Sequence, residues 1–445
     1  MLKKLLHRIW NERRENAWLF VELLVVSLVV WLATDPLFNL ISRDNVPKRY
    51  DSSNVYNLAF MSYRDNSYKY KEELNVPEVI MDDYRQMLKR IEALPDVESY
   101  YIGLGDAPGL TMKRVNTSYA IRTEETEGVE NRTVMVPLCI SMETEKSDIF
   151  KVLRIKDSAT GETYTKKDIG NGTGAYITRS LAAELFGSAN AIGKTVVNDS
   201  RDGERYTVMG VLDDIQDAKY CEPGKLMILS RTLPTDGMHN AFFLESFIIS
   251  IRVKDGVDND AFEKRFREEV LPQLTFGNCY CFRFQSYRQE MFRVENYHGI
   301  VNSIRQNIIL SSFALLCAML GIIGTFWVRA VARRQEVGIM QSMGATRSDI
   351  VRLFATEAAM LATLAFAIAL PLLLHKVHVS GFAEPAASFI DTPISATAAW
   401  RNKPVPHFII VTAISYLFIL AISVVGAIVP TISNIRRPAD ALRDE

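Results

Sequence analysis

Residues 329–352, RAVARRQEVGIMQSMGATRSDIVR, lie between two long apolar stretches and determine how the rest of the chain is organised. Apolar residues in this segment recur at helical spacing, and Gly344 is placed to end a first helix. Thr346 followed by Asp349 is the capping-box pattern that begins a second helix. The segment is therefore predicted to be a short amphipathic helix, a turn and the start of another helix, rather than an ordinary loop.

Hydropathy on both sides of this segment identifies a membrane protein. Residues 308–328 and 408–429 contain no charged residue, and each is long enough to cross a hydrocarbon core of about 30 Å. Two other apolar stretches, residues 17–33 and 353–374, each contain one carboxylate, which is Glu22 in the first and Glu357 in the second. We therefore predict four transmembrane helices, assigned to residues 17–41, 300–328 with a stalk, 353–374 and 407–430.

The overall composition of the 445-residue chain hides this segregation. Hydrophobic residues make up 48% and charged residues 23%, with a formal net charge of −1. A net charge near zero gives no field that would attract nucleic acid. Between the first two spans, residues 42–299 alternate β-branched runs with amphipathic helical patterns. This alternation predicts a large α+β extracytoplasmic domain with two subdomains.

Lysine and arginine in the short segments predict the orientation in the membrane. Residues 1–16 and 329–352 contain five of these residues each and residues 430–445 contain three, whereas residues 375–406 also contain only three. Both termini and residues 329–352 are therefore expected in the cytoplasm, with the α+β domain and an outer loop at 375–406 on the other side. Residues 1–16 have the pattern of a basic interfacial helix, and residues 431–445 are expected to form a cytoplasmic tail.

Glu22 and Glu357 are candidate functional residues, because an ionisable group inside a spanning helix is costly. For Glu22 a structural role is favoured, since it lies near the cytoplasmic end of its span and can pair with Arg13 or Arg14. Pro36 is expected to kink this helix or to end it. A basic start before an apolar run also fits a signal peptide, but no small-residue cleavage site follows, so an uncleaved anchor is favoured.

No pattern in the sequence identifies a catalytic or a metal site. Residues 187–195, GSANAIGKT, end in Gly-Lys-Thr, but five residues separate the glycines where a phosphate-binding P-loop has four. The segment also follows a helical pattern rather than a strand. His375 with His378, and the acidic run at residues 213–217, lack further ligands at metal-site spacing. The protein is therefore not expected to be an enzyme, and any ATP hydrolysis is expected in a partner chain.

The five cysteines do not form a disulfide framework. Cys279 and Cys281 are too close along a predicted strand to bond each other easily, and Cys317 lies in a span. Cys139 and Cys221 are isolated in the sequence. One disulfide in the external domain and free buried thiols both stay open, with the thiols favoured.

Residues 333–358, RRQEVGIMQSMGATRSDIVRLFATEA, resemble the motif that joins the second and third spans in FtsX/MacB/LolC-type ABC transporter permeases. The C-terminal RRPADALRDE is similar to the typical ending of that family. In the large domain, AYITRSLAAELFGSANAIGKTV followed by YTVMGVLDDI looks like the MacB-type periplasmic core. The matching positions of the first motif are Arg333, Glu336, Val337, Gly338, Ile339, Ser342, Met343, Gly344, Ala345, Thr346 and Ile350.

The resemblance implies a permease subunit of the bacterial inner membrane that forms a homodimer or a heterodimer and has a large periplasmic domain. It implies a separate cytoplasmic ABC ATPase, which uses ATP and Mg²⁺, and it allows a periplasmic adaptor, an outer-membrane partner or a lipoprotein partner. The ATPase domain that some members carry at the amino terminus is not expected in this chain. The ATPase would contact a coupling helix at residues 334–345, through Arg334, Glu336, Val337, Gly338, Ile339, Met340, Ser342, Met343, Gly344 and Ala345.

The function that the resemblance implies is mechanotransmission. ATP hydrolysis in the partner would move the coupling helix and the spans, and so drive the periplasmic domain in export, efflux or lipoprotein release. The alternative is an FtsX-like regulator that activates an extracytoplasmic cell-wall hydrolase without transporting a substrate. One fold serves both functions, so the genes beside this one would discriminate them. Replacing Gly338 and Met340 with aspartate is expected to abolish ATPase binding.

Overall fold

The computed structural model describes residues 13–44, 47–104, 107–108, 110, 118–123, 133–169, 173–188, 190–200, 203–216, 223–233, 244–297, 299–382 and 404–434. The chain divides into two compact units. The helical unit comprises residues 1–42, 302–386 and 402–445, and the sheet domain comprises residues 43–301 and 387–401. Most of the predicted interfacial helix at 1–16, most of the predicted outer loop and the tail from residue 435 lie outside the described residues.

Helices and strands alternate only in the sheet domain. The helices are α1 (Arg13–Asp44), α2 (Pro77–Glu92), α3 (Ile149–Leu153), α4 (Arg179–Phe186), α5 (Asn259–Arg265), α6 (Tyr287–Tyr297), α7 (Ile300–Ala332), α8 (Arg334–Ser342), α9 (Arg347–Ser380) and α10 (Pro404–Asn434). The strands are β1 (Val55–Ser62), β2 (Val97–Leu104), β3 (Ser118–Thr123), β4 (Thr133–Glu143), β5 (Thr173–Thr178), β6 (Thr195–Asn198), β7 (Glu204–Leu212), β8 (Met227–Thr232), β9 (Phe247–Val253), β10 (Thr275–Phe276) and β11 (Cys279–Ser286).

The prediction of four transmembrane helices is confirmed. In the described part of the chain, four helices are long and apolar enough to cross a membrane, within α1, α7, α9 and α10. On α9, Ala358, Ala362, Ala365 and Ala369 are buried along one face, and α9 packs along α10. Small side chains allow two helix backbones to approach closely, which is how helices associate in lipid.

Helix α1 does not end at Pro36 but continues to Asp44. Proline removes one backbone donor, but a transmembrane helix tolerates this where neighbouring groups satisfy the freed carbonyl. Pro371 likewise lies inside α9. Neither Pro36 nor Pro371 therefore marks the end of its helix.

The strands of the sheet domain form one continuous sheet in the order β10-β11-β1-β9-β2-β4-β3-β6-β7-β5-β8. Strand β8 also pairs in parallel with β4, from Leu138 opposite Met227 to Glu143 opposite Thr232. Strands β4, β3, β6, β7, β5 and β8 therefore close a ring, and the remaining five strands extend from β4 as an open part. The predicted α+β class is confirmed, with two parts that share β4 rather than two separate sheets.

The two faces of the sheet bury two different cores, because successive side chains on a strand point to opposite faces. On β2, Tyr100 and Ile102 lie in one core and Tyr101 lies in the other. On β5, Ile177 belongs to the first core and Tyr176 to the second. Helix α2 packs in the first core and α3 in the second, so each face of the sheet is covered by a helix.

A buried ion pair lies at the end of the shared strand β4. Glu143 has one carboxylate oxygen 2.6 Å from the Lys166 ammonium and accepts a hydrogen bond of 2.8 Å from the Ser230 hydroxyl on β8. Burial raises the pKa of Glu143, against the opposing effect of Lys166. The hydrogen bond from Ser230 therefore joins β4 to β8, and Lys166 offsets part of the desolvation of Glu143.

Candidate functional site

The segment that the sequence singled out forms the helix–turn–helix that was predicted. Helix α8 follows α7 after a break at Arg333, whose backbone is not helical (φ −96°, ψ 17°). Gly344 has φ 91°, a conformation that glycine adopts without strain. The capping box of α9 is confirmed, because Thr346 and Asp349 exchange side chain–backbone hydrogen bonds of 3.2 Å.

Helix α8 is shorter than the predicted 334–345. It ends at Ser342 because the chain turns there: the Gly344 amide donates to the Gln341 carbonyl and the Ala345 amide donates to the Met340 carbonyl, both at 3.0 Å. Met343, Gly344 and Ala345 thus belong to the turn. This turn brings α8 back onto the beginning of α9.

One side of α8 is packed and the other is exposed. Val337 is buried against Ile350 and Phe354 of α9. Ile339 and Met343 are 54% and 82% exposed. Apolar residues exposed at one side of a short helix are typical of a helix that docks into a groove of a partner. Ile339 on α8 and Met343 in the turn after it are therefore an exposed apolar pair that is available for contact.

The remaining residues of the predicted contact set are less accessible or already hydrogen-bonded. Gly338 is buried, Met340 is half-buried, and the Ser342 hydroxyl donates to the Ile339 carbonyl at 2.7 Å. Aspartate at Gly338 or Met340 would disturb the packing of α8 on α9 as well as any contact surface. Half-buried positions are also found at Arg334, Glu336 and Ala345, and Gly344 is exposed.

Glu357 is the buried member of a group of four charged residues, the arginine–glutamate cluster of Arg329, Arg333, Glu336 and Glu357, in which the other three side chains are 14–31% exposed. Its two oxygens accept hydrogen bonds from Arg329 at 2.5 Å and from Arg333 at 2.8 Å. Arg333 also donates to Glu336 at 2.5 Å, and its guanidinium lies 4.6 Å from the centre of the Phe354 ring. Glu357 is 3% exposed. Two guanidinium groups thus compensate its charge, which the sequence did not reveal.

Glu22 has a neutral partner instead. The Thr325 hydroxyl lies 2.9 and 2.7 Å from its two oxygens. Gly321 lies one turn before Thr325 on α7, and a Cβ there would be in ordinary van der Waals contact with the carboxylate, at 3.5 Å. The expected partners Arg13 and Arg14 have side chains outside the described set. A lone threonine in an apolar span is common, so no sequence signal pointed to Thr325.

A buried aspartate–histidine pair was missed by the sequence reasoning. His407 Nε2, near the start of α10, lies 2.8 Å from Asp35 Oδ1 on α1, and both side chains are almost completely buried. The rings of Phe38 and Phe382 pack against the imidazole. A charged residue near the end of an apolar span was the available signal, but the partner is too distant in sequence to be inferred.

The segment at residues 187–195 has the wrong geometry for a phosphate-binding loop. Gly187 ends α4, and the turn at Gly193 leads into β6. The order is helix–loop–strand, whereas a phosphate cradle needs amides at the start of a following helix. Within the described ranges, no group of three or more His, Cys, Asp or Glu residues is placed to bind a metal ion.

Four cysteines of the described chain are unbonded. Cys139, Cys279 and Cys281 are buried, and Cys317 is exposed on α7. Burial raises the pKa of Cys279 and of Cys281 to about 12 in each case. These two thiols are therefore protonated and unreactive at neutral pH. Cys221 lies outside the described residues.

Two protein-family models match the chain. The model described as MacB-like periplasmic core domain matches residues 42–269, and the model described as FtsX-like permease C-terminal matches residues 308–439. The second match includes α8 and the arginine–glutamate cluster. The two matches correspond to the sheet domain and to most of the helical unit.

Curated relatives are similar over part of the chain. "Macrolide export ATP-binding/permease protein MacB" of Escherichia coli is 27% identical over 124 residues, which are 28% of this chain and 18% of that protein. "Uncharacterized ABC transporter permease YknZ" of Bacillus subtilis (strain 168) is 26% identical over 210 residues, which are 45% of this chain and 48% of that protein. The chain thus spans less than half the length of each of these relatives.

A solved structure also matches the chain. The periplasmic region of MacB from Actinobacillus actinomycetemcomitans is 15% identical and has a TM-score of 0.30. The match covers 55% of this chain and 94% of that structure.

Proposed function

The chain belongs to the FtsX/MacB-like family of ABC transporter permeases, and from that premise we propose that it couples ATP hydrolysis by a separate cytoplasmic ATPase to movement of its sheet domain. The chain would itself be non-catalytic. ATP and Mg²⁺ would bind to the ATPase, and α8 would be the coupling helix. We further propose a dimer with a second permease chain, identical or related.

The observation that supports this function is the construction of α8. It lies between two spans, α7 and α9, it packs on α9 through Val337, and it leaves Ile339 and Met343 exposed. A membrane subunit that receives force from a soluble partner needs a short helix of this kind at the membrane surface. Five Lys/Arg in residues 329–352 favour the cytoplasmic side for this surface.

In the proposed cycle, the ATPase binds α8 differently in its nucleotide-bound and nucleotide-free states. Only this difference in binding free energy can change the conformation of the permease. The displacement of α8 would pass into α7 and α9 and alter the sheet domain, which we place on the periplasmic side of the inner membrane. We propose export from that side as the purpose, as the name of the E. coli relative states for that protein.

The experiment replaces both exposed apolar residues of α8, in the variant Ile339→Asp/Met343→Asp. The tagged chain is expressed in its host and solubilised in detergent, and the amount of co-purified ABC ATPase and its ATP turnover are measured. We expect a loss of ATPase of at least about ten-fold, because two apolar anchors of a docked helix are removed.

The control is Ile192→Asp in the sheet domain, which makes the same change at a residue that is 56% exposed. This variant should retain the ATPase. Undiminished co-purification by the α8 variant would exclude α8 as the coupling helix, and recovery of a cell-wall hydrolase in place of an export partner would support the regulatory alternative.

A further inference from the structure

The structure gives α8 a second attachment, independent of the backbone that joins it to the two spans. At its beginning the chain breaks at Arg333, so α8 is not a straight continuation of α7. At its end the turn at Gly344 joins it to α9. A break on one side and a four-residue turn on the other do not by themselves fix the direction of a nine-residue helix.

Side chains fix α8 to α9 instead. Arg333, at the break, binds Glu357 of α9 at 2.8 Å and packs on the ring of Phe354, also of α9. It simultaneously binds Glu336 in the first turn of α8. The guanidinium of Arg333 therefore bridges the coupling helix and the third span. Val337 adds an apolar contact with Phe354 on the same side.

Glu357 has a special place in this arrangement, because it is the acceptor that both arginines share. Arg329 reaches it from the last turn of α7 and Arg333 from the break. The four charges of the arginine–glutamate cluster sum to zero only while Glu357 is ionised. Replacing it by a neutral residue leaves two partly buried guanidinium groups with Glu336 as the remaining carboxylate of the cluster, which is a costly arrangement.

We propose that Glu357 is the positioning residue that makes α8 move as one body with the third span, so that a load on α8 is delivered to α9 as well as to α7. This inference rests on the proposed function for the origin of the load. The attachment of α8 to α9 is a property of this chain alone. Neutralising Glu357 should leave the exposed pair Ile339 and Met343 in place while allowing α8 to move independently.

The first experiment needs no partner. Hydrogen–deuterium exchange of residues 334–342 is compared in the full chain in lipid nanodiscs for the wild type, Glu357→Gln and Glu22→Gln. Glu357→Gln should raise the exchange rate about ten-fold, because the buried charged hydrogen bonds that hold the helix are lost. Glu22→Gln neutralises a membrane carboxylate outside the cluster and should leave exchange in α8 unchanged.

Two further variants keep the inference testable if Glu357→Gln accumulates poorly. Arg329→Gln retains the contact of Arg333 with Glu357 and should raise exchange only about three-fold. Arg333→Gln removes the contacts with Glu357, Glu336 and Phe354 together and should raise exchange at least as much as Glu357→Gln. Unchanged exchange in Glu357→Gln and Arg329→Gln would overturn the inference.

The second experiment uses the ATPase that co-purifies with the wild type. Glu357→Gln should bind that ATPase as tightly as the wild type does. It should, however, not alter the ATP turnover of the bound ATPase, which the wild-type permease is expected to alter. Normal regulation of turnover by Glu357→Gln, despite faster exchange in α8, would overturn the positioning role. If even the wild type binds no ATPase, the proposed function fails, while the exchange result still decides whether Glu357 holds α8.

Discussion

The surroundings of Glu22 and of Glu357 are two regions of the helical unit where a carboxylate lies in a transmembrane helix. Glu357 accepts hydrogen bonds from two arginines and is buried, whereas Glu22 meets one threonine hydroxyl and is half-buried. Removing the Glu357 carboxylate leaves Arg329 without that partner and Arg333 with Glu336, which is costly for partly buried cations. Removing the Glu22 carboxylate takes a partner only from the neutral Thr325 hydroxyl, which should cost less. Glu22 and Glu357 therefore contribute differently to stability, although each is a single glutamate in an apolar stretch of sequence.

The largest loss of stability should come from Glu357→Ala. Removing one member of a buried ionic cluster is expected to lower the free energy of unfolding by about 3–5 kcal/mol. The matched change Glu22→Ala should cost only about 1 kcal/mol, the value of a single hydrogen bond. Denaturant unfolding in mixed micelles measures both. Equal losses in the two variants would remove the distinction between the two regions.

A smaller effect is expected from Thr325→Val, which keeps the shape of the side chain but removes the hydroxyl beside Glu22. The unfolding free energy should fall by about 1–2 kcal/mol, because a partly buried carboxylate loses a hydrogen-bond donor. Thr325→Ser retains the donor and is the control. If Thr325→Val is as stable as Thr325→Ser in the same unfolding assay, Glu22 depends on a group other than Thr325.

The smallest change in stability is expected for Glu143. One cation contacts this carboxylate, compared with two for Glu357 and one neutral hydroxyl for Glu22. Burial raises its pKa in the folded state. The protonated form therefore stabilises the fold fully below the pKa of the unfolded chain, and that stabilisation is lost as the pH rises through the folded pKa. Relative to Glu143→Gln, the wild type should therefore lose stability as the pH rises over this range.

Urea unfolding of the full chain at each pH measures this difference. After equilibration, the unfolded fraction is read from labelling of the buried Cys139 thiol, which is carried out at one fixed pH. The control is Glu184→Gln, which removes an exposed carboxylate paired with Lys225. It should leave the pH dependence of unfolding as it is in the wild type. A stability difference between wild type and Glu143→Gln that does not vary with pH would show that Lys166 fully offsets the burial of Glu143.

Local patterns in the sequence predicted the features that depend on nearby residues. The apolar spans, the turn at Gly344 and the Thr346–Asp349 capping box each lie within one stretch of chain, and all were confirmed. The end of α8 was misplaced by three residues, because the turn bonds at Gly344 and Ala345 compete with helical continuation. Periodicity does not distinguish a last helical turn from such a bend.

The partner of Glu22 could not be predicted, since it comes from a distant part of the chain. Thr325 is 303 positions from Glu22. The case of Glu357 is different, because Arg333 and Glu357 lie at similar distances on either side of the turn at Gly344. A helical hairpin brings such positions together, so this contact was accessible to reasoning from the predicted turn. Which residues of α8 contact an ATPase stays a prediction.

The pair formed by Asp35 and His407 has a consequence for biogenesis. The two residues are 372 positions apart, in the first and the last span. Synthesis proceeds from the amino terminus, so α1 enters the bilayer with an aspartate whose buried partner has yet to be made. A nascent chain that stops before α10 lacks the histidine that contacts this aspartate. The pair can therefore form only after the last span has been made.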